Sequence, residues 1–132
     1  MSTRSITKFI DENGNLIVSI YKHHDGYPDD YGLSLAEYLN TFNICNGVPI
    51  NSDNDNYANG LSCLAAQVIS HYKKGVGEIY LLPSDSDYSV SYVYSVRLNK
   101  EDKLEVEVRD YMNTIIFNGD IADFKDFCIS AE

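Results

Sequence analysis

Between positions 88 and 109 the chain alternates with a period of two. Tyr88, Val90, Tyr92, Tyr94, Val96 and Leu98 fall on one side; Ser89, Ser91, Val93, Ser95 and Arg97 fall on the other. After Asn99-Lys100-Glu101-Asp102-Lys103, Leu104, Val106 and Val108 alternate with Glu105, Glu107 and Arg109. Successive side chains of a strand point to opposite faces, so this pattern is an antiparallel hairpin with one dry and one wet face. The dry face needs a second layer, which the rest of the chain must supply.

A second hairpin reads from Ile6 to Tyr21, with Asn13-Gly14 supplying the positive φ angles of a tight turn between Thr7–Ile10 and Leu16–Ile20. Helix one is expected from Ser34, where Ser34-Leu35-Ala36-Glu37 has the form of a capping box and Leu35, Tyr38, Leu39 and Phe42 share a face. A polar, turn-rich stretch then holds Asn46-Gly47, Pro49 and Ser52–Asn56. Helix two is expected from about Tyr57 to Lys74, with Tyr57, Leu61, Leu64, Val68 and Tyr72 as its apolar stripe and Gly75 as a left-handed cap. A short strand, Glu78 to Leu82, stops at Pro83, and Thr114 to Phe117 reads as a last strand. Asp120 opens a final short helix carrying Ile121, Phe124, Phe127 and Cys128.

The order β-β-α-α-β-β-β-β-α places the chain in the α+β class: a twisted antiparallel sheet with an N-terminal hairpin, two central helices on one face and a short C-terminal helix. Its 132 residues make a single domain, 1–132. The strand edges at Glu78–Leu82 and Thr114–Phe117 are compatible with a symmetric homodimer.

Twenty acidic side chains against ten Lys and Arg leave a formal net charge of −10. Such a surface repels a phosphate backbone, so direct nucleic-acid binding is not expected. It also admits an acidic mimic that blocks a nucleic-acid-binding host protein. No apolar run approaches the roughly 18 residues that span a bilayer, and the N-terminus lacks a leader pattern; a soluble cytoplasmic protein with no membrane partner is expected. Cys45, Cys63 and Cys128 are odd in number and show no ligand spacing, so neither a disulfide framework nor a zinc site is indicated.

Chemistry-bearing residues gather in two blocks. Tyr21-Lys22-His23-His24-Asp25-Gly26-Tyr27-Pro28 leaves a strand through a turn, and a backbone nest at Asp25–Pro28 with Gly32 can present N–H groups to an anion. In helix two, Gly60, Cys63, Gln67 and His71 fall in one narrow sector beside the buried stripe, where a helix lines a pocket. Adjacent His23 and His24 on a strand would face opposite ways, leaving at most one to join His71; no metal and no cofactor is expected. Cys63 near a helix N-terminus, with His23 as base, is the alternative of a small thiol hydrolase or transferase. Eleven tyrosines and no tryptophan supply flat, polar-tipped area for stacking a base or anchoring an interface.

These blocks, with Leu35-Ala36-Glu37-Tyr38-Leu39, Ala58-Asn59-Gly60-Leu61-Ser62-Cys63-Leu64-Ala65-Ala66-Gln67 and Gly75–Leu81, resemble a family of small bacteriophage and prophage proteins over most of the chain. The resemblance implies a context: an accessory phage protein in the host cytoplasm, acting against host defence or host metabolism, as some small phage proteins do by sequestering nucleotide immune signals. The resulting expectation is a non-enzymatic binding protein. It would engage a small, nucleotide-like ligand or a host protein at one composite face made of Tyr21, His23, Asp25, Gly26, Tyr27, Asn59, Gly60, Cys63 and Gln67.

Overall fold

A computed structural model describes residues 3–45, 57–83 and 89–131. Of the polar, turn-rich stretch expected over Asn43 to Asn56, Asn43–Cys45 is a short strand and 46–56, like Tyr88, lies outside the described residues. The main element is a six-stranded sheet of order β5-β2-β1-β6-β7-β8, built from β1 (Ser5–Ile10), β2 (Leu16–Lys22), β5 (Ile79–Leu82), β6 (Tyr92–Leu98), β7 (Leu104–Asp110) and β8 (Ile115–Asp120). Helices α1 (Leu33–Leu39), α2 (Gly60–Tyr72) and α3 (Ile121–Ser130) complete an α+β domain, with a small parallel ribbon of β3 (Asn43–Cys45) and β4 (Tyr57–Asn59). No helix among the described residues is long and apolar enough to cross a membrane.

The alternation read in the sequence sets the two faces of the sheet. Thr7, Phe9, Ile20, Tyr94, Val96, Val106 and Val108 are buried, and all but the threonine join Leu35, Leu39, Leu64, Val68, Phe124 and Cys128 in one core. Removing such side chains from water contributes about 1.5–3 kcal/mol each for the larger ones. All three helices therefore lie on this face. The sheet is antiparallel except at its centre, where β1 and β6 run parallel with Ser5 opposite Tyr92. The edge strands are β5 and β8.

Three hairpins share one five-residue turn. Asp11, Asn99 and Asp110 each accept two backbone N–H groups on Oδ1, from the residues two and four positions on. The fourth residue of each turn, Gly14, Asp102 or Asn113, takes a positive φ of 82°, 59° or 63°. The expected two-residue Asn13-Gly14 turn is thus longer, and only its glycine is left-handed, because the Asp11 carboxylate closes a wider loop.

The helix boundaries also differ from expectation. The chain turns into α1 through a single π-helical turn, Pro28–Gly32, with Pro28 fixing φ at the first position and Tyr27 extended just before it. Ser34 therefore lies inside the helical run, and its hydroxyl meets the Tyr72 hydroxyl at 2.7 Å instead of capping. Helix α2 starts only at Gly60, because Tyr57–Asn59 pairs with Asn43–Cys45. Beyond α2 the left-handed glycine is Gly77, φ 86°, not Gly75. Asp120 caps α3 as expected, accepting from the Asp123 N–H at 2.8 Å.

Candidate functional site

The loop leaving β2 is shaped by close packing. Asp25 takes the left-handed conformation, φ 60°, while Gly26 is buried against Ser5 and Thr3. The Gly26 N–H donates to the Thr3 carbonyl at 2.9 Å, and its carbonyl accepts from the Tyr94 hydroxyl at 2.8 Å. Both backbone groups of Gly26 are thereby used inside the fold, so the expected nest does not present them to an anion. Asp25 is exposed, and its carbonyl accepts from the Tyr31 N–H at 3.2 Å.

Within the sheet, Ile20 and Lys22 face the helices, as the buried Ile20 and the Lys22 ammonium 5.9 Å from the Tyr31 ring centre show. Tyr21 therefore points to the opposite face. Its hydroxyl lies 2.7 Å from His23 Nδ1, and its ring lies 6.1 Å from that of Tyr80, its register partner on β5. His23 and His24 lie past the end of β2, so strand alternation does not separate them: their rings meet edge-to-face at 4.6 Å. Tyr21, His23, Tyr80, Leu81, Leu82 and Pro83 line an open concavity of about 540 Å³. Lys73, just past α2, stands 5.5 Å from the ring centre of Tyr80, one of the lining residues, and donates from Nζ to the carbonyls of Gly77 and Ile79.

The expected second half of the site lies elsewhere. Asn59 ends β4 and Gly60, φ 76°, swings the chain into α2. Cys63 Sγ donates to Gln67 Oε1 at 3.8 Å, and Gln67 Nε2 donates to the Tyr57 carbonyl at 3.3 Å. Tyr38 on α1 donates to the Gln67 carbonyl, and its ring stacks on His71 at 3.9 Å. The Cys63/Gln67/His71 part of this edge is thus a seam joining α2 to α1 and the ribbon, occupied by the chain's own groups, while Gly60 borders open space.

The single composite face expected from the sequence is divided. Tyr21 and His23 come together on the face turned away from the described helices, Tyr27 packs toward Tyr92 with rings 6.3 Å apart, and Asn59, Gly60, Cys63 and Gln67 belong to the helical layer. Cys63 is engaged with Gln67 and His23 with Tyr21, so no hydrogen bond among the described residues pairs the two as nucleophile and base. The third thiol, Cys128, is buried against Gly32 and Tyr94, and burial, with Asp29 adding, pushes it up to about 12. No group of three His, Cys, Asp or Glu among the described residues can hold a metal ion.

Tyr80 and Lys73 were not singled out for this place by the sequence. Tyr80 was visible only as one tyrosine among many, because pairing of β2 with β5 is what brings it beside Tyr21. Across the face that no described helix covers, one register row reads Tyr80, Tyr21, Ile6, Val93, Arg109 and Ile115. Ile6 is buried in that row though it stands outside the main core. Comparison with protein-family models, curated proteins and solved structures finds no match.

Proposed function

We propose that this chain is a non-enzymatic binding protein that takes a small, nucleotide-like ligand in the concavity of Tyr21, His23 and Tyr80. The observation that carries the reading is the meeting of a half-exposed Tyr80 ring and a partly buried Tyr21 ring with an imidazole and a lysine at one sheet edge. A planar base stacks on either tyrosine, a contact of about 1–3 kcal/mol per base. A phosphate then meets Lys73 and the imidazoles of His23 and His24, local donors on an otherwise acidic chain. The phage resemblance of the Tyr21–Pro28 and Ala58–Gln67 blocks supports a counter-defence or host-takeover role in the host cytoplasm, where sequestering a nucleotide signal is one such action.

Calorimetric titration with AMP, GMP, UMP and a cyclic dinucleotide tests this. Saturable binding of at least one, weakened about fivefold or more by Tyr80→Ala, is expected. Flat titrations with all four overturn it. A second reading rests on Tyr80, 50% exposed, with Tyr21 and Val93 partly exposed in the same row and Ile6 buried between them, on a face that no described helix covers, which suits a host protein partner. Retention of one host protein by the wild-type chain and its loss in Tyr21→Ser, beside flat nucleotide titrations, favours that reading.

A further inference from the structure

At the other end of the same loop, Tyr27, Pro28, Asp29, Tyr92, Ile116, Phe127 and Ala131 line a groove of about 360 Å³. Three of its walls are aromatic. The Tyr27 and Tyr92 rings stand 6.3 Å apart at 57°, and Phe127, held by stacking on Phe117 at 5.1 Å, adds the third. Tyr27 is 48% exposed, because the buried Pro28 and Tyr31 of the π-helical turn aim inward and leave the preceding residue outside.

The electrostatics of this groove have one sign. Burial raises the Tyr92 phenol above its ordinary value, and Tyr27, Asp29 and Asp110 push it further. Helix α3 ends at Ser130, so its carbonyl terminus and negative dipole end lie at the groove through Ala131, and its last turn carries no basic residue. Among the described residues no Lys, Arg or His lines the groove. The ion pairs of the described residues join Lys22 to Glu78, Arg97 to Glu105 and Arg109 to Glu107, so none reaches Asp29 or Asp110.

Aromatic faces with uncompensated negative charge attract a cation that is only weakly hydrated. A metal ion would need several converging oxygens, whereas this groove offers mainly rings. We infer that the groove between the π-helical turn, β8 and the end of α3 is a binding site for an organic ammonium group, with Tyr27, Tyr92 and Phe127 as its cage and Asp29 as its counter-ion. The ammonium can belong to a free small molecule or to a lysine side chain of a partner; both bring the same head group. The site is separate from the Tyr21–Tyr80 concavity and does not depend on it.

The test is titration with choline, with its uncharged isostere 3,3-dimethylbutan-1-ol, and with a capped peptide carrying one trimethyllysine, followed by NMR. Choline is expected to bind at least about tenfold tighter than the isostere, with shifts at Tyr27 and Tyr92. Peptide binding tighter than choline assigns the site to a protein side chain, and the reverse order assigns it to a small molecule. Tyr27→Leu, which keeps an apolar group at an exposed position, and Asp29→Asn are each expected to weaken choline by about fivefold or more, with unchanged melting temperature. Equal binding of choline and its isostere overturns the inference, as does unchanged affinity in both variants.

Discussion

Gly26 and Ser5 touch so closely that a methyl group on Gly26 would lie 2.8 Å from both Cβ and Oγ of Ser5, and 3.0 Å from the Thr3 carbonyl oxygen. Gly26→Ala is therefore expected to destabilise by about 1–3 kcal/mol through overpacking, although Gly26 has a negative φ. Ser5→Gly in the same chain should recover part of the loss, since the Thr3 contact remains. Urea unfolding of the two single variants and the double variant measures this. A loss of nothing in Gly26→Ala would mean that the loop moves freely, and the shared anchoring of both candidate sites would fail with it.

Thr7 and Tyr31 share a buried hydrogen bond of 2.7 Å, with the Tyr31 ring edge-on to Tyr72 and Tyr94. Tyr31→Phe leaves the Thr7 hydroxyl without this partner and is expected to cost about 1–3 kcal/mol. Thr7→Val added to Tyr31→Phe should cost less than the sum of the two single changes. A double-mutant cycle by chemical denaturation gives the coupling; additive costs would show that the bond contributes little.

Stability should fall in alkali. Burial raises the Tyr31 and Tyr94 phenols and the Cys128 thiol, so above pH 9 the unfolded chain releases protons that the folded chain keeps. The folded state then binds more protons, and unfolding free energy declines by up to about 1.4 kcal/mol per pH unit for each such group. Denaturant curves at pH 7, 8, 9, 10 and 11 are expected to be level to pH 8 and to drop from pH 9. Cys128→Ala should flatten the stretch between pH 9 and 10, whatever its effect at neutral pH. Iodoacetamide should modify Cys128 only on unfolding.

The shared turn geometry separates its three left-handed residues. Asp102 carries a Cβ at φ 59°, whereas Gly14 does not at 82°. Gly14→Ala is expected to cost about 1 kcal/mol, and Asp102→Gly to be neutral or stabilising by up to about 1 kcal/mol. Thermal unfolding of the two variants decides; a Gly14→Ala that costs nothing or an Asp102→Gly that clearly destabilises would contradict the common turn.

Much of the fold was legible because sheets and amphipathic helices write their periods into the chain. Tyr92 to Leu98 and Leu104 to Val108 face the core as their alternation requires, and Asp120 caps α3. The start of α1 was misplaced because Ser34 looks like a cap by spacing alone, while Pro28 begins the helical run a turn and a half earlier. The candidate site was half legible. Tyr21 and His23 belong together through a local contact, but Tyr80 joins them through a strand pairing, and Cys63 is engaged instead with Gln67 on its own helix. Local patterns specify elements; which elements become neighbours is decided by non-local burial.

The parallel seam of β1 and β6 also governs the order of assembly. The meander from β6 to β8 and α3 is made of neighbouring segments, and the β1–β2 hairpin is equally local. Joining them closes a loop from Ser5 to Tyr92, whose entropy must be lost before that contact returns any stabilisation. On the ribosome the first hairpin emerges long before its central partner exists. It must wait with Ile6 and Phe9 unshielded, so the slow step of folding, and the window for aggregation, lies in the middle of the finished sheet.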